Sequence, residues 1–120
     1  TMSFGFIRKE DADSYSFIRI PKMLMTGRAF SDLSSPSKIL YGMMIDKLGL
    51  SLKNKWLDDK GRAFIVYPVT EIQADMNLSK RKSLDCLSEL EDVGLIEKQK
   101  RGGGLPSIIY VKNFATAYEM

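Results

Sequence analysis

Val69-Thr70-Glu71-Ile72-Gln73-Ala74-Asp75-Met76 reads as a short polar-capped helix, and Asn77-Leu78-Ser79 breaks it. A second helix follows whose first turn is Lys80-Arg81-Lys82 and which ends at Gly94. Leu95-Ile96-Glu97-Lys98-Gln99-Lys100 is then a strand, Arg101-Gly102-Gly103-Gly104-Leu105-Pro106 turns the chain, and Ser107 to Lys112 returns as another strand. Helix, turn, basic helix, strand, basic glycine loop, strand is the order of a winged helix-turn-helix. The stretch therefore predicts an α+β fold of that type.

The first turn of the second helix is odd on stability grounds. The unpaired N–H groups at a helix start carry partial positive charge, and a cation there costs roughly 0.3–1 kcal/mol when exposed at low salt. Ser79 is a good N-cap, but the position three residues on, where Glu or Gln would complete a capping box, holds Lys82. An anion at this end removes the penalty, and a phosphate group is attracted by the helix terminus and the lysines together. The competing reading is a solvated charged turn.

Stepping about 100° per residue puts Leu84, Leu87 and Leu90 on one stripe, the expected core face. Arg81, Lys82, Asp85, Ser88, Glu89 and Asp92 fall on the opposite arc, basic at its N-terminal end and acidic at its C-terminal end. A helix entering the major groove of DNA by its N-terminus would bring Arg81, Lys82 and Asp85 to base edges and keep Glu89 and Asp92 away from phosphates. Lys80 lies nearer the core side and suits a backbone phosphate. On the wing, Lys98, Lys100 and Arg101 would contact phosphates or the adjacent minor groove, and Gly102 and Gly103 allow close approach.

Composition bounds the alternatives. The 120 residues fit one domain with a modest core, and 44% hydrophobic and 28% charged residues are ordinary for a globular protein. Net charge is only +3, so any case for nucleic acid lies in charge placement. From Lys80 to Arg101 six basic residues stand among five acidic ones (Asp85, Glu89, Glu91, Asp92, Glu97). With one cysteine and no histidine, Cys/His zinc sites and histidine-assisted nucleophiles are excluded. Gly102-Gly103-Gly104 lacks the Lys-Ser/Thr and helix of a phosphate loop. No catalytic residue, metal ligand or cofactor site is expected, so the chain reads as a non-enzyme. Cys86 should be half-buried packing. The absence of a long apolar run or signal peptide, with a single cysteine, suits a cytoplasmic protein without membrane contact.

Upstream, Phe4 to Ile20 reads as a β-hairpin turning at Lys9-Glu10-Asp11-Ala12-Asp13, with Phe4 and Phe6 on one face and Tyr15 and Phe17 on another. An isolated hairpin is marginal in water, so it must dock, either on its own domain or as a dimer arm on a second copy. Residues 1–21 are taken as this arm and 22–120 as the compact domain. A brief helix is expected at Lys22 to Met25. Ser35-Pro36 opens the next helix, serine as cap and proline at the first helical position, with Ile39, Leu40, Met43, Met44 and Leu48 facing the core and Gly49 ending or loosening it. Lys53 to Tyr67 reads as a second hairpin through Asp58-Asp59-Lys60-Gly61, its return strand joining the wing strands. Trp56 serves there as a partner anchor or a hydrophobic cover.

Several segments together carry a family resemblance. They are Phe17-Ile18-Arg19-Ile20-Pro21-Lys22, the helix from Ser35 to Leu48 with its Ser-x-x-x-Lys-Ile-Leu-Tyr-Gly core, the Trp56-x-Asp58-x-x-Gly61 hairpin, and Glu89-Leu90-Glu91-Asp92-Val93-Gly94-Leu95-Ile96-Glu97. In these the chain resembles the N-terminal domain of the plasmid replication initiator A family (RepA_N). The last segment alone occurs in many winged helices, whereas the first three together are more specific. The resemblance implies a domain that binds repeated double-stranded DNA sites at a plasmid origin, often as a homodimer. It also implies a separate C-terminal domain, absent here, that engages host replication proteins. Carried over by position, the recognition helix is Ser79 to Val93 and the wing Lys98 to Leu105. Two alternatives stay open at this point: a winged-helix transcriptional regulator, and a protein-interaction winged helix within a replication complex.

Overall fold

The computed structural model describes residues 2–11, 13–54 and 56–116. Thr1 of the arm, Ala12 of its polar turn, Lys55 of the second hairpin and residues 117–120 lie outside them. Four helices, α1 (Lys22–Thr26), α2 (Ser35–Lys53), α3 (Val69–Met76) and α4 (Lys80–Val93), surround one face of a small antiparallel sheet. Its strands are β1 (Phe64–Ile65), β2 (Ile96–Gln99) and β3 (Ile108–Val111), in the order β1-β3-β2. Strand β3 is central, pairing Ile109 with both Ile65 and Lys98. This is the winged helix-turn-helix expected of the sequence, with β2 and β3 as the wing.

The core lies where α2, α3 and α4 meet the inner sheet face. Leu40, Tyr41 and Met44 from α2, Ile72 from α3, Cys86 and Leu90 from α4 and Ile65, Ile96 and Ile109 from the strands are all buried. Each large apolar side chain contributes roughly 1.5–3 kcal/mol by leaving water. Cys86 is fully buried rather than half-buried. Among the described residues, no helix is long and apolar enough to cross a membrane.

The α3–α4 turn follows from local chemistry. Asn77 closes α3 in the left-handed region (φ 54°, ψ 47°), which asparagine tolerates better than most residues, and its N–H donates to the Gln73 carbonyl. Ser79 then caps α4, its hydroxyl oxygen accepting the Lys82 N–H at 3.1 Å. Gly94 ends α4 at φ 89°, and the Leu95 N–H reaches back to the Leu90 carbonyl at 2.9 Å, the bond of a Schellman stop.

Several expectations are corrected. Residues 2–11 and 13–20 hold no strand; a 3-10 turn at Lys9–Asp11, tied by the Arg8 N–H to Asp11 Oδ2 at 2.9 Å, stands where a hairpin turn was expected. Strand alternation of Phe4 and Phe6 fits an extended segment equally well, and pairing needs a partner strand that this stretch does not supply. Helix α2 is capped at Ser34, so Pro36 sits one position further in, and Gly49 neither ends nor breaks it, because the flanking Leu48 and Ser51 remain packed. Ile39 is on the exposed side of that helix. Lys53 belongs to α2, and the second hairpin shrinks to a Leu57–Ala63 bridge followed by β1. Helix α3 has no polar cap: Pro68 precedes it, and its carbonyl accepts the Glu71 and Ile72 N–H groups.

Candidate nucleic-acid interface

The core stripe of α4 runs through Ser83, Cys86 and Leu90, with Leu87 partly buried, and Leu84 is 39% exposed. The helix is thus turned relative to the leucine stripe read from hydrophobicity. Ser83 can be buried because its hydroxyl donates to the Ser79 carbonyl at 2.9 Å, the i−4 bond that satisfies a small polar side chain inside a helix. Counting about 100° per residue from Ser83, Arg81 and Asp85 stand about 200° away, on the outermost line of α4 together with Ser88. Lys82 lies on the flank that also carries Glu89, and Lys80 on the other flank with Leu84.

Arg81 is 86% exposed and its Nε is 3.4 Å from Asp85 Oδ1, an i,i+4 ion pair. Ser79, Lys80 and Lys82 are exposed as well. Glu89 departs from its expected place on a solvent-facing acidic end. Its Oε1 accepts the Ser34 backbone N–H at 2.7 Å and its Oε2 accepts the Ser34 hydroxyl at 3.1 Å. That N–H bond, opposed by partial burial and assisted by the Ser34 and Ser37 hydroxyls and by Lys82, holds the carboxyl below its ordinary range. Glu89 therefore ties the basic helix to the start of α2. The one signal for it in the sequence is that Ser34-Ser35-Pro36 starts a helix with N–H groups to satisfy; the partner, 55 positions away, leaves no local trace.

On the wing, Lys98, Lys100, Arg101, Gly102 and Gly103 are all exposed. Gly103 and Gly104 adopt φ 68° and 74°, which only glycine takes without strain, and the Arg101 Nε–H donates across the loop to the Pro106 carbonyl at 2.8 Å. Arg101 thus closes the wing tip as well as charging it. Lys98 pairs with Ile109 on the inner strand face and shares a shallow cavity of about 180 Å³ with Tyr67, Val69, Leu87 and Pro106. That cavity joins the wing base, the start of α3 and the middle of α4, so the wing lysine opens on the same groove as the helix. Tyr67 is fixed at its edge by donating to Asp75 Oδ2 at 2.7 Å, with Lys47 Nζ 4.5 Å from its ring centre. Burial, then the Asp75 hydrogen bond and charge, raises the Tyr67 phenol above its usual range.

The candidate arm residues Phe4, Phe6 and Phe17 are more than two-thirds exposed, and Tyr15 less so. Tyr15 and Phe17 meet edge-to-face at 5.9 Å rather than across paired strands. They are far from forming a buried patch within the chain.

The family model described as "Replication initiator protein A (RepA) N-terminus" matches residues 16–120. A curated relative, a "41 kDa protein" of Lactobacillus helveticus, is 24% identical over 104 residues, which are 84% of this chain and 30% of the relative. The chain therefore spans about a third of that relative's length. Among solved structures, an "N-Terminal domain of DNA binding protein" is 29% identical with a TM-score of 0.76, over 92% of this chain and 85% of the other. A structure described as "Structure of Rep-DNA complex" is 29% identical with a TM-score of 0.76, over 91% and 84%. A third, "Structure of MDR initiator", is 32% identical with a TM-score of 0.72, over 91% and 86%.

Proposed function

This chain belongs to the family of replication initiator protein A N-termini, and on that footing we propose that it is the double-stranded DNA-binding unit of a replication initiator, acting on repeated sites at an origin. Helix α4 with its cap, residues 79–93, is the recognition helix, and residues 98–105 are the wing. The observation that supports the reading is the exposed basic first turn of α4, capped at Ser79, on a helix whose middle shares a cavity with Lys98 of the wing strand. Arg81 and Lys82 face base edges with Asp85 beside Arg81, while Lys80, Lys98, Lys100 and Arg101 meet phosphates or the minor groove. The chain works here as a binding domain with no catalytic step or cofactor of its own, in the cytoplasm. A similar structure described as a Rep–DNA complex supports DNA as the partner.

The exposed Phe4, Phe6, Tyr15 and Phe17 support the further reading that residues 1–21 form a homodimer arm, since monomers rarely leave large apolar side chains in water together. Membership of the family is the footing for host replication proteins as further partners. An Arg81→Ala, Lys82→Ala double variant, titrated on origin duplex, tests the reading: affinity and site preference should both fall, and unchanged values for both would sink it. If about four to six phosphates are neutralised per domain, log affinity should fall with log salt at a slope of about −4 to −5.

A further inference from the structure

We propose that Asp85 is a positioning residue that sets the Arg81 guanidinium to read one guanine in the major groove. The proposal rests on the DNA-binding reading above and divides the labour within it: Arg81 selects a base, and Asp85 aims Arg81 without reading a base itself.

Stability does not account for this pair. An exposed i,i+4 ion pair contributes about 0.3–0.5 kcal/mol, and the order cation-then-anion is the weaker one along a helix. Arg81 also sits in the first turn, where a cation opposes the helix dipole. The free domain gains little from Arg81 and Asp85 as they stand.

The geometry favours another use. The contact at 3.4 Å is made by Arg81 Nε, on the inner edge of the guanidinium. The two terminal nitrogens then form the leading end of a planar group, a pair of parallel N–H donors. Guanine presents two acceptors, O6 and N7, at the spacing of that fork, whereas adenine offers one acceptor beside a donor. Arg81 is the one arginine of α4. Lys80 and Lys82 end in ammonium groups that act as point charges without a planar fork. Asp85, on the same outermost line of the helix and about half exposed, would repel guanine acceptors if it faced them alone. Held against Arg81, its charge is neutralised locally and it limits the rotamers that the long side chain can sample, so less freedom is lost on binding.

The test is selection from a random-sequence duplex library with the wild-type chain, Asp85→Ala and Arg81→Lys, followed by titrations on the selected duplex. Both substitutions are at exposed positions, and melting curves check that the domains stay folded. The wild type should enrich a site with one fixed guanine whose replacement by adenine costs about tenfold in affinity. Arg81→Lys should erase that preference. Asp85→Ala should reduce it at the same position while binding unrelated duplex at least as tightly, since an acidic charge has gone. Placing 7-deazaguanine at that position, which removes N7, should weaken the wild type about tenfold and Asp85→Ala much less. An Asp85→Ala variant that keeps full guanine preference, or loses preference at a different base pair, overturns the proposal while leaving DNA binding intact. Failure of the wild type to enrich any duplex overturns the underlying reading and this proposal with it.

Discussion

Removing the Glu89 carboxylate should loosen the basic helix from the helix that supports it. Glu89 accepts one backbone and one hydroxyl hydrogen bond from Ser34, at 2.7 and 3.1 Å, and Ser34 is the cap residue of α2. In effect a side chain of α4 caps α2. Loss of a helix cap costs about 0.5–2 kcal/mol, and bonds to a charged acceptor lie toward the upper end of that range. Partial exposure of Glu89 lowers the figure, so about 1–1.5 kcal/mol is expected for Glu89→Ala. For a domain of this size that corresponds to a fall in Tm of roughly 4–10 °C, read by circular dichroism. Acid should produce the same loss in the wild type. The Ser34 N–H bond holds the carboxyl lower in the folded chain than in the unfolded one. Its contribution is therefore complete above the unfolded pKa and disappears as pH falls through the folded value. Glu89→Gln, which keeps the shape, should melt below the wild type at neutral pH and converge on it in acid. A Glu89→Ala chain that melts with the wild type at neutral pH, or a Glu89→Gln difference that persists unchanged into acid, would refute the reasoning.

Two further perturbations address the elements around the site. Asp58 is partly desolvated, which alone would raise its carboxyl, but bonds from the Arg62 backbone and side chain, Tyr110 and the Lys60 N–H pull it down to about 2. Its contribution is thus present above the usual aspartate range and lost as pH falls toward about 2, so Asp58→Ala should lower Tm by several degrees at neutral pH and progressively less in acid. Equal melting temperatures at neutral pH would count against that network. A Cβ on Gly42 would stand 2.9 Å from Ile20 Cγ1 and 3.1 Å from the Arg19 carbonyl oxygen, too close for both to stay. Gly42→Ala should leave global stability within about 1 kcal/mol, because alanine improves the helix, yet displace the Arg19–Ile20 segment. Tryptic cleavage after Arg19 should then speed up several-fold, and an unchanged rate would show that the segment is not seated there.

The legible parts of this fold were those encoded over a few residues. Ser79 and Gly94 mark both ends of α4 because a cap hydroxyl and a left-handed glycine act on their own turn of helix. Asn77 does the same for the α3–α4 turn. The rotational setting of α4 was only partly legible, since a rule that buries leucines places Leu84 inside and gives no weight to Ser83 and Cys86, which are the buried ones. Ser83 is tolerated inside because it bonds the Ser79 carbonyl, and Glu89 ties the helix to α2 through Ser34. The N-terminal aromatics alternate as a strand does, but alternation names a face without supplying a partner. Gly49 punctuates a helix on propensity alone, by about 1 kcal/mol, and the packed residues on either side outweigh it. At the candidate interface the charges were visible in the sequence; their assignments were not. Arg101 and Lys98 both read as wing contacts for phosphate or the minor groove, yet Arg101 also clasps the Pro106 carbonyl and Lys98 lines the cavity beside Leu87.

A net charge of +3 leaves the local field around α4 and the wing to the placement of individual charges. At physiological salt an exposed charge is felt over about 8 Å, so what matters is which charges share a neighbourhood and not their sum over the chain. Of the five acidic residues between Lys80 and Arg101, Glu89 and Glu97 are engaged elsewhere, and Glu91 and Asp92 stand exposed at the far end of α4. Glu89 is turned back onto Ser34, Glu97 stands on the outer strand face 3.3 Å from Lys112, and Asp58 and Glu71 pair with Arg62 and Lys47 away from α4. Asp85 meets the one arginine of α4. Lys80, Lys98 and Lys100 enter no ion pair among the described residues. Asp85 offsets Arg81, whereas the contacts of Glu89 and Glu97 lie away from the first turn of α4. These acids hold the helix, the sheet and one guanidinium in place, while Lys98 lines the cavity beside Leu87 and Lys80 and Lys100 stand exposed.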